Sequence, residues 1–230
     1  MPVRTVGEYL GRWGYTAKRP RRHADDQDPK EVLQWLQEEY PLIEAQAQQE
    51  DAVIYWCDET GVAADEHPRY GYARKGQAAT MEVPKSHIRM NLISTVSNTG
   101  KIHFMTYSGT LNATRFIVFL EQLLRETTKK IFLIADRLSA HDCAATDAWL
   151  SKRVKRIEVY YLPRRSPELN PDEYFNNDLK GNVHAAGLPH NKQELGIRIH
   201  AFLRTLLGLP EHVMSYFQHP CVKYAAAHHL

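Results

Sequence analysis

The fold is decided by residues 161–180, YLPRRSPELNPDEYFNNDLK. This segment starts at the end of an apolar, β-rich run, passes through a turn punctuated by prolines and continues with the periodicity of a helix. Asn170 is predicted to cap that helix and Pro171 to take its first position. The acids Asp172 and Glu173 then fall in the first turn, where they suit the helix dipole. Either that is their whole role, or one of them binds a metal.

The elements around this segment follow an α/β order. Short apolar runs predict buried strands, and two such runs separated by Asn98-Thr99-Gly100 predict a hairpin. The predicted strands cover residues 52–57, 89–97, 101–108, 131–135 and 157–162, with a strand-like segment at 69–74. The predicted helices cover residues 113–127 after the cap Asn112, 142–154, the segment after Pro171, and 191–207. An antiparallel meander feeding parallel strands, with helices between them, is therefore expected.

The first 50 residues differ from this pattern. Residues 4–15 predict a helix with one apolar face, formed by Val6, Tyr9, Leu10 and Trp13. A polar linker containing two prolines follows. Residues 29–50 predict a second helix, with Asp28 as its cap and Pro41 as a break or kink.

Composition limits the setting of the chain. Its 230 residues, 43% of them apolar, suffice for a domain core, and no apolar run approaches the length of a membrane span. The N-terminus shows no apolar signal segment. Cys57, Cys143 and Cys221 form neither a zinc spacing nor a disulfide framework, which predicts a reducing cytoplasm. The lack of a long apolar run predicts no membrane partner.

Basic residues are clustered although the net charge is only +2. One cluster lies near the N-terminus and consists of Arg4, Arg12, Lys18, Arg19, Arg21 and Arg22. A second lies mid-chain and consists of Lys152, Arg153, Lys155 and Arg156, and Arg164 and Arg165 stand shortly before the helix predicted after Pro171. Such clusters on a near-neutral chain indicate a polyanionic partner, with a solvated surface as the alternative.

Two further acids stand directly after predicted strands. Asp58 follows residues 52–57, and Asp136 follows residues 131–135. Strand carboxyl ends border the functional crevice of open α/β sheets. With an acid from the helix after Pro171, these side chains would form a cluster that stays ionised only around a cation. Oxygen ligands suit Mg²⁺ or Mn²⁺, and two such ions about 3.5–4 Å apart serve phosphodiester chemistry, which predicts a nuclease-like reaction on DNA or RNA.

Four motifs carry a resemblance to a known family: YWCDETG (55–61), RYGYARKGQ (69–77), FLIADRLSAH (132–141) and YLPRRSPELNPDEYFNNDLK (161–180). In these motifs the chain resembles bacterial insertion-sequence transposases of the mariner superfamily, in the branch named after insertion sequence 630. A weaker similarity extends to residues 4–14 and 216–225. The resemblance implies an α/β, ribonuclease-H-like mixed sheet with flanking helices, preceded by a short helical DNA-binding remnant.

The same resemblance implies a catalytic and metal-binding triad. By motif it consists of Asp58, Asp136 and Glu173, which would hold Mg²⁺ or Mn²⁺. Asp172 occupies a position that is usually apolar in the family, so it is expected to be only a helix N-terminus acid. Arg137 stands where the family usually has Asn, and its charge could compete for the neighbouring carboxylate.

Residues around the triad are expected to support it. Asn170 is expected behind the three acids, and Glu59 either there or in a purely structural role. His141 is expected either to contact the reacting phosphate or to pack. Arg164 and Arg165 replace smaller or aromatic residues. The predicted DNA contacts are Arg4, Arg12, Lys18, Arg19, Arg21, Arg22, Arg164 and Arg165.

The resemblance also implies paired helix-turn-helix modules ahead of the catalytic domain, and residues 4–14 resemble the recognition helix of the second module. The expected division is a helix-turn-helix remnant at 1–23, a linker and helix at 24–50, the catalytic domain at 51–210 and a C-terminal tail at 211–230. The chain is therefore expected to be the catalytic half of a larger enzyme.

The expected function is that of a DDE transposase domain, which cuts DNA at transposon ends and joins the 3′ ends to target DNA with two metal ions. Its expected partners are both DNAs and a second copy of the chain, as a homodimer on DNA at the nucleoid of the bacterial cytoplasm. The alternative is an inactive remnant that only binds DNA or regulates. Sugar hydrolysis by paired carboxylates is a third hypothesis, which leaves the basic clusters unexplained.

Overall fold

The computed structural model describes residues 3–16, 27–65, 74–77, 87–137, 143–185 and 187–226, with side chains from Thr5 onward. Several predicted features lie outside the described residues: the side chain of Arg4, the whole of Lys18, Arg19, Arg21, Arg22 and His141, and nearly all of the strand-like segment 69–74.

The centre of the fold is a five-stranded mixed sheet with the strand order β3-β2-β1-β4-β5. The strands are β1 (Val53–Ala63), β2 (Arg89–Val96), β3 (Ile102–Tyr107), β4 (Ile131–Ala135) and β5 (Ile157–Tyr161). Strands β1, β4 and β5 are parallel, whereas β2 and β3 run antiparallel to β1 and to each other. The predicted meander feeding parallel strands is confirmed.

Helices cover both faces of the sheet. They are α1 (Val3–Arg12), α2 (Pro29–Gln34), α3 (Tyr40–Gln49), α4 (Ala113–Glu126), α5 (Ala144–Ser151), α6 (Asp172–Val183), α7 (Lys192–Leu207) and α8 (Pro210–Ser215). Short 3-10 turns occupy Pro167–Leu169, Tyr216–Gln218 and Lys223–Ala225. No helix within the described ranges has the length and apolarity needed to cross a membrane.

Alternation along β1 builds two separate cores, because successive strand residues point to opposite faces. Trp56 belongs to the larger core, which holds α3, α6, α7 and the C-terminal turns. Tyr55 and Cys57 belong to the smaller core under α4. The segment predicted as a C-terminal tail packs into the larger core, where the ring of Phe217 meets that of Trp56 edge-on with centroids 5.1 Å apart.

The predicted hairpin forms between β2 and β3. Val96 pairs with Ile102, and Gly100 takes a φ of 83° in the turn between them. That conformation favours glycine. A Cβ at Gly100 would also lie 2.7 Å from the backbone of Pro210, so the turn needs glycine for two independent reasons.

Pro41 does not break the helix in which it lies. A π-helical segment, Trp35–Glu39, joins α2 to α3, and the Tyr40 N–H donates to the carbonyl of Trp35. Proline lacks an N–H and crowds the preceding turn, and widening that turn to the π form accommodates both effects. The predicted break or kink is therefore a local change of helix type.

The expectation that β1 ends at residue 57 is wrong. The strand continues to Ala63 because it stays paired with β2 along its whole second half. Its parallel ladder with β4 ends earlier, at the pair of Trp56 with Ile134. Asp58 therefore lies inside a strand, at the point where the neighbour on one side has stopped.

Candidate active site

A cavity of about 610 Å³ opens beyond the carboxyl ends of β4 and β5. All three predicted acids, Asp58, Asp136 and Glu173, line it. The rest of its wall comes from the residue after Asp136 and from the segment between β5 and α6: Arg137, Leu162, Pro163, Arg164, Arg165, Ser166, Pro167 and Asn170. Three distant parts of the chain thus bring carboxylates to one cleft that has arginines on its wall.

Asp58 is held by hydrogen bonds on the floor of this cleft, where it is only 9% exposed. Asn176 of α6 donates its side-chain N–H to Oδ2 of Asp58 at 2.8 Å, and the backbone N–H of Glu59 also donates to the carboxylate. Burial raises the pKa of Asp58 well above its ordinary value, and the charges of Glu173 and Asp136 raise it further. A buried carboxylate in this setting favours a cationic partner.

Asn170 ties the start of α6 to β1. Its Nδ2 donates to the carbonyl of Cys57 at 3.0 Å, and its Oδ1 accepts from the backbone N–H of Asp172 at 3.1 Å. The helix is bounded two residues after Asn170, at Asp172, with Pro171 at the cap position. Asn170 nevertheless accepts from the first turn as a capping side chain does, and the same amide places that turn beside the strand carrying Asp58.

The two acids in the first turn of α6, Asp172 and Glu173, lie in different environments. Glu173 is half-buried and lines the cleft, where burial raises its pKa, Lys180 lowers it and Asp136 raises it. Asp172 is fully buried, away from the cleft lining, and accepts a hydrogen bond from Ser94 Oγ at 2.8 Å. Burial, with Asp58 nearby, raises the pKa of Asp172 well above its ordinary value. Asp172 is thus more than a helix N-terminus acid, because it bonds α6 to β2.

Arg137 is exposed beside the cleft, and its guanidinium lies 5.3 Å from the centre of the Tyr161 ring. A cation over an aromatic face is attracted to the ring. This contact turns the charge of Arg137 toward β5, and the same residue also lines the cavity. Its side chain adds to the positive charge of the wall formed by Arg164 and Arg165.

The turn carrying Arg164 and Arg165 is held from outside by the segment that starts α2. Gln27 Nε2 donates to the carbonyl of Arg165 at 3.2 Å, to Ser166 Oγ at 2.8 Å and to Glu168 Oε1 at 2.6 Å. The Arg164 N–H donates to Glu31 at 3.3 Å. Arg165 has a φ of 56°, a left-handed conformation that costs a non-glycine residue energy and persists only where the surroundings enforce it.

Glu59 contributes through its backbone rather than its carboxylate. Because successive strand residues point to opposite faces, the Glu59 side chain lies on the face opposite Asp58. There, burial of the Tyr107 hydroxyl raises its pKa, and the charge of Glu59 raises it further. The basic residues 152–156 do not line the cleft. Arg153 places its guanidinium 4.1 Å from the ring centre of Trp149, and Arg156 donates to carbonyls of Leu124 and Thr127.

The donor set fits a divalent cation in chemistry, since three carboxylates face one cavity and repel one another. In the described ranges, however, no three Asp, Glu, His or Cys side chains are close enough together to hold one ion as they stand.

Three contributors to the site were missed from the sequence: Asn176, Ser94 and Gln27. A signal existed for Asn176, because it follows Asp172 by four residues and so shares its helical face. Ser94 and Gln27 carry no local signal, because Ser94 bonds Asp172 across 78 residues and Gln27 bonds Arg165 across 138 residues.

Comparisons with known proteins agree with this arrangement. The family model for the DDE superfamily endonuclease matches residues 53–195, and that for a winged helix-turn helix matches residues 1–39. No curated protein sequence matches the chain significantly.

Among solved structures, the chain is similar to a Mos1 transposase paired-end complex with left transposon end, at 16% identity and a TM-score of 0.64, over 98% of this chain and 71% of the other. It matches the Mos1 strand transfer complex at 18% identity and a TM-score of 0.66, over 99% and 71% of the two chains. The catalytic domain of Mos1 mariner transposase matches at 12% identity and a TM-score of 0.52, over 92% and 100%.

These structures share the fold of this chain, which confirms the expected ribonuclease-H-like mixed sheet. The resemblance to transposases of the mariner superfamily is likewise confirmed. Since the endonuclease model spans all three cleft acids and more than half of the sequence, the chain belongs to the DDE superfamily endonuclease family.

Proposed function

We propose that this protein is a DDE transposase whose catalytic domain cuts DNA phosphodiester bonds and joins transposon 3′ ends to target DNA. The observation that carries the proposal is the meeting of Asp58, Asp136 and Glu173 on one cleft whose wall is rich in arginine. A lone carboxylate pair would also suit other hydrolytic reactions, but the basic wall suits a phosphate backbone.

Asp58, Asp136 and Glu173 are the proposed ligands of Mg²⁺ or Mn²⁺. When bound, such ions supply Lewis-acid activation of a water and neutralise charge on the reacting phosphate. Without them, repulsion keeps the three carboxylates apart, which agrees with the absence of a ready-made three-ligand group among the described side chains. Solved Mos1 paired-end complexes with Mn and with Mg support the choice of ions.

The protein's own groups orient the DNA. Arg164 and Arg165 would bind phosphates beside the scissile bond, and Arg137 would extend this contact toward β5. Glu173 projects from the first turn of α6, so the helix start held by Asn170 determines where its carboxylate points. Such positioning of a backbone phosphate against fixed carboxylates is the main protein contribution to this type of reaction.

The N-terminal segment would supply DNA-end recognition. The match of residues 1–39 to a winged helix-turn helix supports this role, with Arg4, Arg12, Lys18, Arg19, Arg21 and Arg22 as proposed phosphate contacts. Mos1 transposase, to which this chain is similar, has been solved as a paired-end complex with a transposon end and as a strand transfer complex, which supports transposon ends and target DNA as partners. A homodimer on DNA is the working unit in this proposal. Action on the bacterial chromosome in the cytoplasm is part of this proposal.

Incubation of the protein with supercoiled plasmid and Mg²⁺ tests the reaction. Nicked and linear products are expected from the wild-type protein and from a control variant, Asp147→Asn, which changes an exposed acid outside the cleft. The Asp136→Asn variant and wild-type protein with chelator should give neither product. Equal cutting by Asp136→Asn would reject the proposed triad.

A second candidate function is DNA binding without catalysis. Arg137 next to Asp136 favours it, because a fixed cation competes with a metal for the carboxylate. The position of the guanidinium over Tyr161 weakens this argument. A protein that binds DNA and changes neither strand of the plasmid under any divalent cation would support the second candidate.

A further inference from the structure

We propose that Asn176 is a positioning residue, whose amide holds Oδ2 of Asp58 and so fixes the orientation in which the carboxylate is presented to a metal in the cleft. The inference rests on the proposed function, because it assigns Asp58 as a ligand. The family resemblance assigns no role to Asn176, and its place on the helical face of Asp172 does not by itself indicate a contact with Asp58.

The contact is short and buried. Asn176 is 3% exposed, and its Nδ2 lies 2.8 Å from Oδ2 of Asp58, across the interface between α6 and β1. A hydrogen bond from an amide to a carboxylate is stronger than one between neutral groups, and it has a preferred direction. It therefore restricts rotation of the carboxyl group, which a buried apolar side chain at position 176 would not do.

A neutral donor suits this position better than a charged one. A lysine or arginine would contribute a positive charge that competes with a metal for the carboxylate, and an acid would repel it. The amide holds one oxygen and adds no net charge to a cleft that already contains Glu173 and Asp136. Supporting groups behind metal ligands act in this way, by orienting the ligand.

The helix that carries Asn176 is itself fixed against the sheet by polar contacts. Asp172 lies one turn earlier on the same face and accepts from Ser94 Oγ at 2.8 Å. Ser94 is the residue paired with Asp58 across the β1–β2 ladder. Asn170 adds the bond to the Cys57 carbonyl. Neighbouring residues of β1 and β2 are thus hydrogen-bonded to the N-terminal part of α6. These bonds set the rotation of the helix about its axis.

This rotation matters for two ligands at once. Asn176 follows Glu173 by three residues, so the contact that holds Asp58 also sets the direction in which Glu173 projects. The apolar residues of the same helix, Phe175 and Leu179, are fully buried and would permit small sliding on their own. The polar contacts fix the position and rotation of α6 on the sheet, which apolar packing alone would not do.

Two variants separate a positioning role from simple space filling. Asn176→Leu keeps the volume and removes the donor, whereas Asn176→Ala removes both. Asn182→Leu is the matched control, because Asn182 is an exposed asparagine of the same helix that donates within its own turn to Asp178. Mn²⁺ affinity is measured by calorimetric titration without DNA, and unfolding temperature is measured without metal.

If Asn176 positions Asp58, Leu and Ala variants should both bind Mn²⁺ about tenfold more weakly than wild type, the order expected for loss of a group that orients a metal ligand. The Asn182→Leu control should bind as wild type. Wild-type affinity in a folded Asn176→Leu protein would overturn the inference, as would weakening in the Ala variant alone, which indicates packing. A wild-type protein that binds no Mn²⁺ would instead reject the proposed function itself.

Discussion

Asp58 and Asp136 stand level with each other, each two residues beyond the pair Trp56–Ile134 that ends the parallel ladder of β1 and β4. Register alone therefore brings the two acids to the same height at the edge where β4 stops. Because β1 continues along β2, Asp58 keeps a rigid strand backbone, while Asp136 lies at the start of a loop. If both acids bind one ion, as proposed, Asp58 does so from within a strand and Asp136 from the residue directly after one.

Substitution of each member of the acidic pair separately should distinguish their roles. Glu173→Gln is expected to reduce plasmid cutting by more than about 100-fold, because a metal ligand contributes several kcal/mol to transition-state stabilisation. Asp172→Asn should retain most activity, since an amide can still accept from Ser94. Cutting is measured as initial nicking rates at saturating Mg²⁺. Loss of activity in Asp172→Asn would contradict this division of roles, because it would show that the Asp172 carboxylate itself is needed for cutting.

The acidic pair Asp172 and Glu173 shows which features can be predicted from the sequence and which cannot. Capping by Asn170, the hairpin around Gly100 and a meander that feeds parallel strands follow from local patterns and from the order of elements along the chain, so they could be predicted. The burial of Asp172 could not, because it depends on Ser94 of another strand. The end of β1 was misjudged for a similar reason. In the sequence, the polar residues from Asp58 to Thr60 indicate the end of a buried strand, whereas pairing with β2 extends the strand to Ala63.

Stability without metal should fall as the pH rises. Burial, with Glu173 and Asp136, raises the pKa of Asp58 well above its ordinary value in the folded protein. A carboxyl with a raised folded pKa stabilises the fold below its unfolded pKa, near 4, and this contribution is lost as pH rises through the folded pKa, at about 1.4 kcal/mol per pKa unit. The metal-free protein is therefore expected to be less stable at pH 7.5 than a variant that cannot ionise at position 58.

Asp58→Asn tests this expectation, because its amide oxygen can still accept from Asn176. The substitution should raise the unfolding free energy of the metal-free protein by roughly 0.5–2 kcal/mol at pH 7.5, with little change near pH 4. Mn²⁺ should raise the unfolding temperature of wild type but not of the variant. Asp147→Asn, at an exposed position, serves as the control. If Asp58→Asn were less stable than wild type at pH 7.5, the interpretation that the ionised Asp58 carboxylate destabilises the metal-free fold would be contradicted.

Gln27→Ala should loosen the arginine turn. The three acceptors of the Gln27 amide all belong to residues 165–168, next to a left-handed Arg165. Loss of these hydrogen bonds is expected to lower the unfolding free energy by about 0.5–1.5 kcal/mol, measured by urea denaturation. Cutting should fall roughly tenfold or more, because misplacement of a phosphate-binding group weakens alignment of the scissile bond.

Gln46→Ala provides the comparison for Gln27→Ala, since the amide of Gln46 donates to Glu50 one turn later, at the end of its own helix. It should change neither the cutting rate nor the stability beyond a few tenths of a kcal/mol. Equal cutting rates in the two variants would mean that the turn keeps its shape without Gln27. Because Gln27 and Glu31 fall within the segment matched by the winged helix-turn helix model, a defect in Gln27→Ala would link that segment to the cleft wall.

Arg137→Asn restores the residue usual in the resembled family and tests whether the arginine hinders metal or holds DNA. With its guanidinium over Tyr161 at the cleft edge, Arg137 is expected to contact phosphate. The variant should bind duplex DNA more weakly, and the slope of log affinity against log salt should decrease by about one. Mn²⁺ affinity without DNA should stay within about twofold of wild type. Arg153→Asn is the matched control, because Arg153 also stacks on an aromatic ring, that of Trp149, away from the cleft. Tighter Mn²⁺ binding with unchanged DNA affinity in Arg137→Asn would show instead that this arginine competes with the metal for Asp136.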